Sequence, residues 1–273
     1  MLAKRIGLIG AGRMATALAR GFVRAGIVVP ESIVASDPSE TARAEFSREV
    51  PGSSIVAENA AVAAEADVLI LAVKPQQVED VLRQFHGTLR GQSLIVSIAA
   101  GVTLTKLAQG LERGQRIIRV MPNTPCLIGE GASAYSLGSE ATTDDGQLVS
   151  ELLSAVGVAY EVPEQLLDAV TGLSGSGPAF VYSMIEAMAG GGESAGLPAD
   201  LALALAARTA AGAAQMVLRT GEPPAVLRDR VTSPGGTTLA GLAELDRLGF
   251  ARAVEAAVVA ATRRSAELGH AGR

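Results

Sequence analysis

The chain is poor in the residues from which many active sites and binding surfaces are built. Its 273 residues include one cysteine, two histidines and no tryptophan, and aromatic residues make up 3%. Cys126 therefore has no partner within the chain for a disulfide or a multi-cysteine metal site, which indicates an intracellular setting. So few aromatic rings argue against a base-stacking surface for nucleic acid.

Charge and hydropathy exclude further classes of protein. The formal net charge is −5 and no basic block is present, which disfavours a nucleic-acid partner. No uncharged apolar run of about 18 residues predicts a membrane span, since Arg208 interrupts the Ala-rich run 201–218. The apolar start of the chain breaks at Gly10, unlike a signal peptide. We expect a cytoplasmic protein without a metal, nucleic-acid or membrane partner.

The sequence divides into two halves of different composition. Up to Val162, short β-branched runs alternate with helical stretches, which is typical of a parallel sheet with helices on both faces. From about Glu164, long Ala/Leu/Val helices dominate. We predict an α/β Rossmann-type dinucleotide-binding domain over 1–163 and an all-α domain for dimerisation and substrate binding over 164–273. The predicted strands cover 6–9, 32–35, 53–56, 68–73, 94–98 and 116–120, and the predicted long helices 179–188, 199–219 and 251–268.

The second of these long helices is apolar on nearly every side. Between Leu201 and Ala214 only Thr209 and Arg208 interrupt the apolar residues. A helix that is apolar all round is normally buried, and one small helical domain can hardly bury every such surface by itself. This indicates packing against a second copy of the chain. The alternative is that alanine is simply a good helix former and is tolerated anywhere.

The first predicted strand leads into a glycine-rich turn. Gly10, Gly12 and Ala15 form a Gly-x-Gly-x-x-Ala pattern ahead of an amphipathic helix. The first glycine permits the tight turn, the second lets the backbone approach a pyrophosphate, and the small alanine allows close helix–strand packing. After the first strand of an alternating β/α half, the pattern predicts dinucleotide binding. The alternative is a glycine turn needed only for packing.

The end of the second predicted strand bears on the choice between NADH and NADPH. Asp37 closes this strand, where an acid normally accepts the ribose 2′-hydroxyl and favours NAD. Ser36, Ser39, Arg43 and Asn59 are polar residues that could instead help to hold a 2′-phosphate. The sequence leaves both cofactors open. Lys74, at the end of the fourth predicted strand, faces the same crevice and could touch the cofactor ribose; otherwise it is a solvated loop lysine.

A second glycine turn lies far along the chain. The segment Ser233–Thr238 reads Ser-Pro-Gly-Gly-Thr-Thr, and the two threonines stand where a helix would start. Backbone N–H groups at a helix start, with the helix dipole behind them, form a seat for a small carboxylate. The hydroxyl of Thr238 could reach a bound ligand. Together with a nicotinamide site, this turn predicts reduction of a small acid.

The absences also constrain the chemistry. Lys4, Lys74 and Lys106 are the only lysines. His86 lies in a polar stretch after a predicted helix and His270 in the C-terminal tail, so both are expected to be solvated and not catalytic. Dehydrogenases that act on C–O bonds need such a group to move the proton. An imine relaxes this demand, because its nitrogen can arrive protonated and hydride addition then gives a neutral amine. Positioning, a carboxylate seat and a hydroxyl would then suffice.

The middle of the chain contains two motifs and the single cysteine. Asn123-Thr124-Pro125 reads as a turn. The segment 174–178, Ser-Gly-Ser-Gly-Pro, reads either as a helix entry with proline in the first turn or as a polar wall beside the nicotinamide, which we favour. Cys126 follows the first turn and is expected to be inert.

Six motifs follow one another along nearly the whole chain: Gly10-Ala11-Gly12 and the segments 71–75, 97–103, 121–125, 168–179 and 233–238. In these motifs the chain resembles pyrroline-5-carboxylate reductases. The family implies reduction of 1-pyrroline-5-carboxylate to L-proline with NADPH or NADH, the last step of proline biosynthesis. It also implies a homodimer of interlocked C-terminal helices, often five dimers in a decamer, with each active site shared between subunits.

The resemblance also implies functional residues. The substrate would lie near Glu164, Thr237 and Thr238, with Ser233, Gly235 and Gly236 binding its carboxylate. The implied cofactor contacts are Leu8, Ile9, Gly10, Ala11, Gly12, Arg13, Ser36, Asp37, Asn59, Leu71, Ala72, Val73, Lys74, Ile98, Ala99 and Ala100.

Departures from the family pattern are few. Arg13 stands where Asn or Gln is common, so it contacts the pyrophosphate or faces solvent. Asp37 stands where a small polar residue is common. Gly190-Gly191-Gly192 is expected to break a helix near the dimer interface. The competing interpretations are a related imine or small-acid reductase and a non-catalytic dinucleotide-binding regulator. A hydroxyacid enzyme of this group would need a lysine in the helical half.

Overall fold

The computed structural model describes residues 2–85, 87–91 and 93–270, and these form two compact units. Unit 1 contains the described residues up to Ser176 together with those from Ala260 onward, and unit 2 contains Gly177–Val259. The predicted division at 163/164 therefore differs from the division into compact units. The difference arises because the segment after residue 163 contacts the sheet of unit 1, and the end of the last helix contacts that segment through a hydrogen bond from Ser265 to Asp168.

Unit 1 is built on a sheet whose described strands lie in the order β3-β2-β1-β4-β5-β6-β7-β8. The six strands predicted from the sequence are all present, and they pair in parallel. Their order reverses between β1 and β4, which is the topological switch point of a doubly wound sheet. The strands are β1 Ile6–Ile9, β2 Ile33–Ser36, β3 Ser54–Val56, β4 Val68–Leu71, β5 Leu94–Ser97, β6 Arg116–Met121, β7 Gly131–Leu137 and β8 Gly157–Glu161.

At one edge the sheet extends beyond the six predicted strands. Strand β7 runs antiparallel to β6, with Met121 opposite Ala134, and β8 then pairs in parallel with β7. The connection from Met121 to Gly131 is too short for a crossover helix, so the chain returns antiparallel. Strand β7 has no β-branched residue, which is why the composition of this segment did not reveal it.

Helices cover both faces of the sheet and create two apolar cores. In β1, Ile6 and Leu8 point into one core and Ile9 into the other, as alternation along a strand requires. Strands covered on both faces read as continuous apolar runs, and this explains why they were visible in the sequence. The helices are α1 Arg13–Arg24, α2 Glu40–Glu49, α3 Asn59–Glu65, α4 Val78–Arg83, α5 Leu104–Gln109, α6 Thr143–Ser154 and α7 Leu167–Val170.

After β8 the chain stays with unit 1 for one more segment. A 3₁₀ turn, Glu164–Leu166, leads into α7, and α7 continues as a π-helical turn, Thr171–Gly175. Another 3₁₀ turn, Thr124–Ile128, follows Asn123, which confirms the turn predicted there. The polar segments next to β6 therefore form tight, regular turns.

Unit 2 is helical, as predicted. It contains α8 Gly177–Ser194, α9 Ala199–Thr220, α10 Pro224–Arg230, α11 Thr237–Arg247 and the first part of α12 Phe250–His270. The predicted break at Gly190-Gly191-Gly192 is wrong, because α8 runs through these glycines to Ser194. A Cβ on Gly192 would lie 3.2 Å from the Cβ of Ala202. This glycine therefore allows α8 and α9 to approach closely, and the chain turns later, at Gly196 with φ +99°.

The core of unit 2 is small, and most of α9 is exposed. Ala189, Ala202 and Ala206 are buried, with Ile185 packed against them. The large apolar side chains Leu203 and Leu218 remain 52% and 74% exposed. By length and composition α9 could cross a membrane, but a single such helix is weak evidence of a membrane span, because core helices of soluble proteins meet the same criteria. The exposed apolar surface means that unit 2 of one chain does not bury α9.

Candidate functional site

The first candidate site is the crevice at the carboxyl ends of the parallel strands in unit 1. The ends of β1, β2, β4 and β5 lie at one edge of the sheet, on either side of the switch point between β1 and β4. In doubly wound sheets, ligands bind at this position. Every cofactor residue predicted from the sequence lies on one of these strands, on the loop that follows it, or at the start of α1 or α3.

The glycine turn has the geometry that was predicted. Gly10 has φ +92°, and its N–H donates to the carbonyl of Ser36 over 2.8 Å. A Cβ at Gly10 would lie 2.9 Å from the backbone oxygen of Ala72, so only glycine fits without strain. Ala15 is 1% exposed within the core, which confirms its role in close helix–strand packing.

The start of α1 leaves room for a ligand. Gly12 is the N-cap of α1, no side chain caps this helix, and its first turn contains no acidic residue. A Cβ on Gly12 would meet no atom within 4 Å. Arg13 is exposed at the first helical position. An uncapped helix N-terminus bordered by a cation suits a pyrophosphate.

Asp37 is bonded to the backbone on both sides. Its Oδ2 accepts the N–H of Ala11 at 3.0 Å, and its Oδ1 accepts the N–H of Ser39 at 2.9 Å. The guanidinium of Arg43 donates to the carbonyl of Asp37 at 2.8 Å and to that of Pro38 at 3.0 Å. The half-buried Asp37 carboxylate is therefore held at the end of β2, next to the glycine turn.

Ser36 and Asn59 form a hydrogen-bonded pair behind this carboxylate. The hydroxyl of the buried Ser36 donates to Oδ1 of Asn59 at 2.7 Å. Asn59 in turn donates through Nδ2 to Oε1 of Gln84 at 2.9 Å. Gln84 was not predicted as part of this group, because it lies 25 residues from Asn59 along the chain. The pair ties the ends of β2 and α3 together.

The loops after β4 and β5 complete the edge of the crevice. The N–H of Ile98 donates to the carbonyl of Leu71 at 3.1 Å, and the N–H of Ala72 donates to that of Ile9 at 2.8 Å. Lys74 is exposed where the loop after β4 enters a 3₁₀ turn. The structure brings together the predicted cofactor residues of this half: Leu71, Ala72, Val73, Lys74, Ile98, Ala99 and Ala100.

Glu164 lies in a charged cluster within unit 1. Its Oε1 accepts the N–H of Leu104 at 2.7 Å and an N–H of the Arg119 guanidinium at 3.0 Å. Arg119 is 5% exposed, and a second nitrogen of its guanidinium lies 3.9 Å from Oδ1 of Asp168. Sequence reasoning missed Arg119, since an arginine inside an apolar strand has no distinctive spacing.

The second candidate site is the glycine turn of unit 2. Thr237 is the first residue of α11 and Gly236 its N-cap, which confirms the predicted helix start. Gly235 has φ +70°, and a Cβ on Gly236 would clash with the hydroxyl oxygen of Ser233. Thr238 is half-buried in the first turn of α11. The turn thus presents uncapped N–H groups and two threonine hydroxyls at the same helix end.

The remaining candidate residues are Cys126, possible metal ligands and the two histidines. Cys126 is buried, and this burial raises the pKa of its thiol. Within the described ranges, no three acidic, histidine or cysteine side chains are grouped as a metal site would require. His86 and the side chain of His270 lie outside the described residues, so the expectation that they are solvated stays a prediction.

The fold and the glycine turn define a class, the Rossmann-type dinucleotide-dependent oxidoreductases that carry a second, helical domain. Residues 5–101 match the family model of the NADP oxidoreductases described as coenzyme F420-dependent, and residues 164–268 match the model for pyrroline-5-carboxylate reductase dimerisation. A pyrroline-5-carboxylate reductase from Methanosarcina acetivorans is 47% identical over 266 residues, which cover 97% of this chain and 98% of the relative. The chain belongs to the pyrroline-5-carboxylate reductase family.

Solved structures agree with this assignment. The NADP-bound pyrroline carboxylate reductase of Plasmodium falciparum matches with a TM-score of 0.89 and 32% identity, over 98% of this chain and 99% of that one. The pyrroline-5-carboxylate reductase of Coxiella burnetii matches with a TM-score of 0.91 and 33% identity, over the same shares. The fold class predicted from the sequence is confirmed.

Proposed function

We propose that this chain reduces 1-pyrroline-5-carboxylate to L-proline by hydride transfer from NADPH or NADH, the last step of proline biosynthesis. The observation that carries the proposal is the near-complete match to relatives of that name, at 47% identity in the example above. The site chemistry supports it, because the chain has a glycine turn at Gly10 that suits a dinucleotide and an uncapped helix start at Thr237 that suits a carboxylate.

The cofactor would lie along the carboxyl edge of the sheet. The pyrophosphate would rest on the start of α1, and the adenosine ribose would face Asp37. The residues that we assign to cofactor binding are Leu8, Ile9, Gly10, Ala11, Gly12, Arg13, Ser36, Asp37, Asn59, Leu71, Ala72, Val73, Lys74, Ile98, Ala99 and Ala100. This assigns dinucleotide binding to the predicted domain 1–163.

The substrate carboxylate would bind at the start of α11, in the predicted domain 164–273. The backbone of the turn 233–236 and the N-terminal dipole of α11 favour an anion there. The residues that we assign to the substrate are Glu164, Ser233, Gly235, Gly236, Thr237 and Thr238. One carboxylate oxygen of Glu164 already binds Arg119 and Leu104, so any contact of Glu164 with substrate falls to its other oxygen.

The reaction needs little acid–base machinery. The imine carbon receives the hydride and its two electrons from the nicotinamide, the C=N double bond becomes a single bond, and the nitrogen keeps the proton with which it arrives. The products are proline and the oxidised nicotinamide. Unit 2 contains neither histidine nor lysine, which fits this chemistry. The hydroxyl of Thr238 would hydrogen-bond the substrate nitrogen.

We propose a homodimer, which the exposed α9 supports. The resemblance to the family adds five dimers in a decamer as the proposed larger assembly. Leu205 is 50% exposed on α9, within the residues that match the dimerisation family model. We expect Leu205→Glu to give a smaller particle in light scattering, because a charge in an apolar interface is costly. The control is Leu127→Glu, at a 43% exposed leucine of unit 1. A dimer that survives Leu205→Glu alone and in combination with Leu203→Glu would contradict this assembly.

We place the enzyme in the cytoplasm, in line with its single cysteine.

The deciding experiment is an NADPH oxidation assay with 1-pyrroline-5-carboxylate, run beside a 2-keto acid. We expect turnover of the imine only. Turnover of the keto acid alone would favour a related small-acid reductase. Tight cofactor binding without turnover of either substrate would favour a non-catalytic regulator.

A further inference from the structure

Side chains on one side of strand β6 and its extension contact the segment 164–175, which precedes unit 2. Arg119, Met121 and Asn123 occupy alternate positions, and the backbone of Asn123 is still extended, with φ −133° and ψ 167°. Side chains at alternate positions of an extended chain point to the same side. All three approach the segment 164–175.

Arg119 fixes the beginning of this segment. Its guanidinium pairs with Glu164 at 3.0 Å and lies 3.9 Å from Asp168. The hydroxyl of Ser265 in α12 donates to the same Oδ1 of Asp168 at 2.7 Å. The start of the segment is thus held by charge and by the last helix.

Asn123 and Met121 fix the end of the segment, where the helix widens into the π-helical turn Thr171–Gly175. Nδ2 of Asn123 donates to the carbonyl of Ser174 at 3.2 Å, while its Oδ1 accepts the N–H of Ala132 in β7 at 2.9 Å. Asn123 is 8% exposed, so both hydrogen bonds are shielded from water. A Cβ on Gly175 would lie 2.5 Å from Cε of Met121, so the turn sits directly on that side chain.

The π-helical turn lies close to the candidate cofactor site, so its hydrogen bond with Asn123 bears on function. Asn123 follows the carboxyl end of β6, and β6 pairs with β5, whose own carboxyl end leads to Ile98–Ala100. The turn therefore lies at the edge of the sheet where the cofactor crevice opens. Single π-helical turns inside α-helices occur frequently at functional sites.

We propose that Asn123 is a positioning residue that holds the π-helical turn Thr171–Gly175 in the shape needed beside the nicotinamide ring. The proposal rests on the function proposed above. The amide of Asn123 bridges two backbone groups on separate elements, a carbonyl of the turn and an N–H of β7. Because both hydrogen bonds hold backbone groups in place, we assign Asn123 an indirect action on the reaction, through the placement of the turn.

The test is Asn123→Asp in the full-length enzyme. This change preserves size and the acceptor for Ala132, but places an oxygen opposite the carbonyl of Ser174, where the amide donated. We expect kcat to fall on the order of 10²-fold, because small displacements in a hydride-transfer site are costly. We expect an unchanged KM for NADPH and a larger primary isotope effect with deuterated NADPH, since the hydride step becomes limiting.

A matched control is Ser93→Ala. Ser93 is 1% exposed, and its hydroxyl donates to the carbonyl of Ala66 at 2.7 Å at the opposite, amino end of β5. This variant also loses one buried hydrogen bond to the backbone. We expect a similar fall in thermal stability with kcat and isotope effect unchanged.

Hydrogen exchange separates this proposal from the proposed function. Amides of 171–176 should exchange faster in Asn123→Asp than in the wild type or in Ser93→Ala, whatever substrate is turned over. Unchanged exchange there would overturn the proposal, as would faster exchange with unchanged kcat. A wild type inactive on 1-pyrroline-5-carboxylate would instead overturn the function, and with it the role of the turn in that reaction. If Asn123→Asp does not fold, Gly175→Ala displaces the turn from the Met121 side, and normal kcat in that variant would overturn the proposal.

Discussion

The carboxylate of Asp37 is bonded to the backbone N–H of Ala11, with Oδ2 and N 3.0 Å apart. This hydrogen bond joins the end of β2 to the glycine turn after β1, so one negative charge is fixed between the expected ribose and pyrophosphate positions. The neighbouring Arg43 donates to backbone carbonyls of Asp37 and Pro38. A 2′-phosphate at this position would therefore face the negatively charged carboxylate of Asp37 before the guanidinium of Arg43.

Asp37→Ser should raise the preference for NADPH over NADH. Removing the carboxylate abolishes repulsion of the 2′-phosphate and loses an acceptor for the 2′-hydroxyl. We expect a shift of about tenfold or more in the ratio of kcat/KM values, since a hydrogen bond to a charged group contributes about 1.5–3 kcal/mol. Glu40→Ser, which removes an exposed charge from the first turn of α2, is the control. No shift in Asp37→Ser would mean that the carboxylate does not face the 2′ position.

Thr238→Val should impair turnover with near-normal cofactor binding. The change keeps the shape of the side chain and removes the hydroxyl, so kcat should fall on the order of 10²-fold if this group stabilises the reacting nitrogen. NADPH affinity measured by fluorescence should not change. Thr41→Val, at an exposed position in α2, controls for the loss of a threonine hydroxyl. Unchanged kinetics in Thr238→Val would remove Thr238 from the mechanism.

Local features were predictable from the sequence because their physical cause is local. The turn at Gly10 follows from a positive φ and a close backbone approach, and both are encoded by neighbouring residues. The start of α11 follows in the same way from Gly235 and Gly236. The six apolar strands were visible because burial on both faces needs unbroken apolar runs.

Long-range features were not predictable in this way. Arg119 meets Glu164 over 45 residues and Asn123 meets Ser174 over 51, so no window of sequence contains both partners. Gly192 of α8 was misread because its role is the close contact with Ala202. In these cases the cause is a neighbour that only the folded chain supplies. Strand β7 was missed for a different reason, because most of its residues are small and none is β-branched.

Arg119→Met should destabilise the protein more than loss of an exposed arginine. The Arg119 side chain is 6% exposed, whereas its partners Glu164 and Asp168 are 26% and 30% exposed. Breaking a fully buried pair costs about 3–5 kcal/mol, and partial solvation of the acids should reduce this to about 2–3 kcal/mol. Urea unfolding measures the difference. Arg20→Met, which breaks an exposed pair with Glu49, should cost less than about 1 kcal/mol. Equal losses in the two variants would show that the buried pair adds nothing.

Cys126 should resist alkylation in the folded protein at neutral pH. Burial raises the pKa of its thiol, so the reactive thiolate is scarce as well as inaccessible. The folded state therefore binds the thiol proton more tightly than the unfolded state does. The resulting stability is fully present below the unfolded pKa of about 8.5 and is lost as pH rises through the higher folded value.

Because this is the only cysteine, thiol labelling reports it alone, and labelling should appear only with denaturant. Cys126→Ala should lose less stability than the wild type between neutral and alkaline pH. Rapid labelling of the native protein at neutral pH would contradict the buried, protonated thiol.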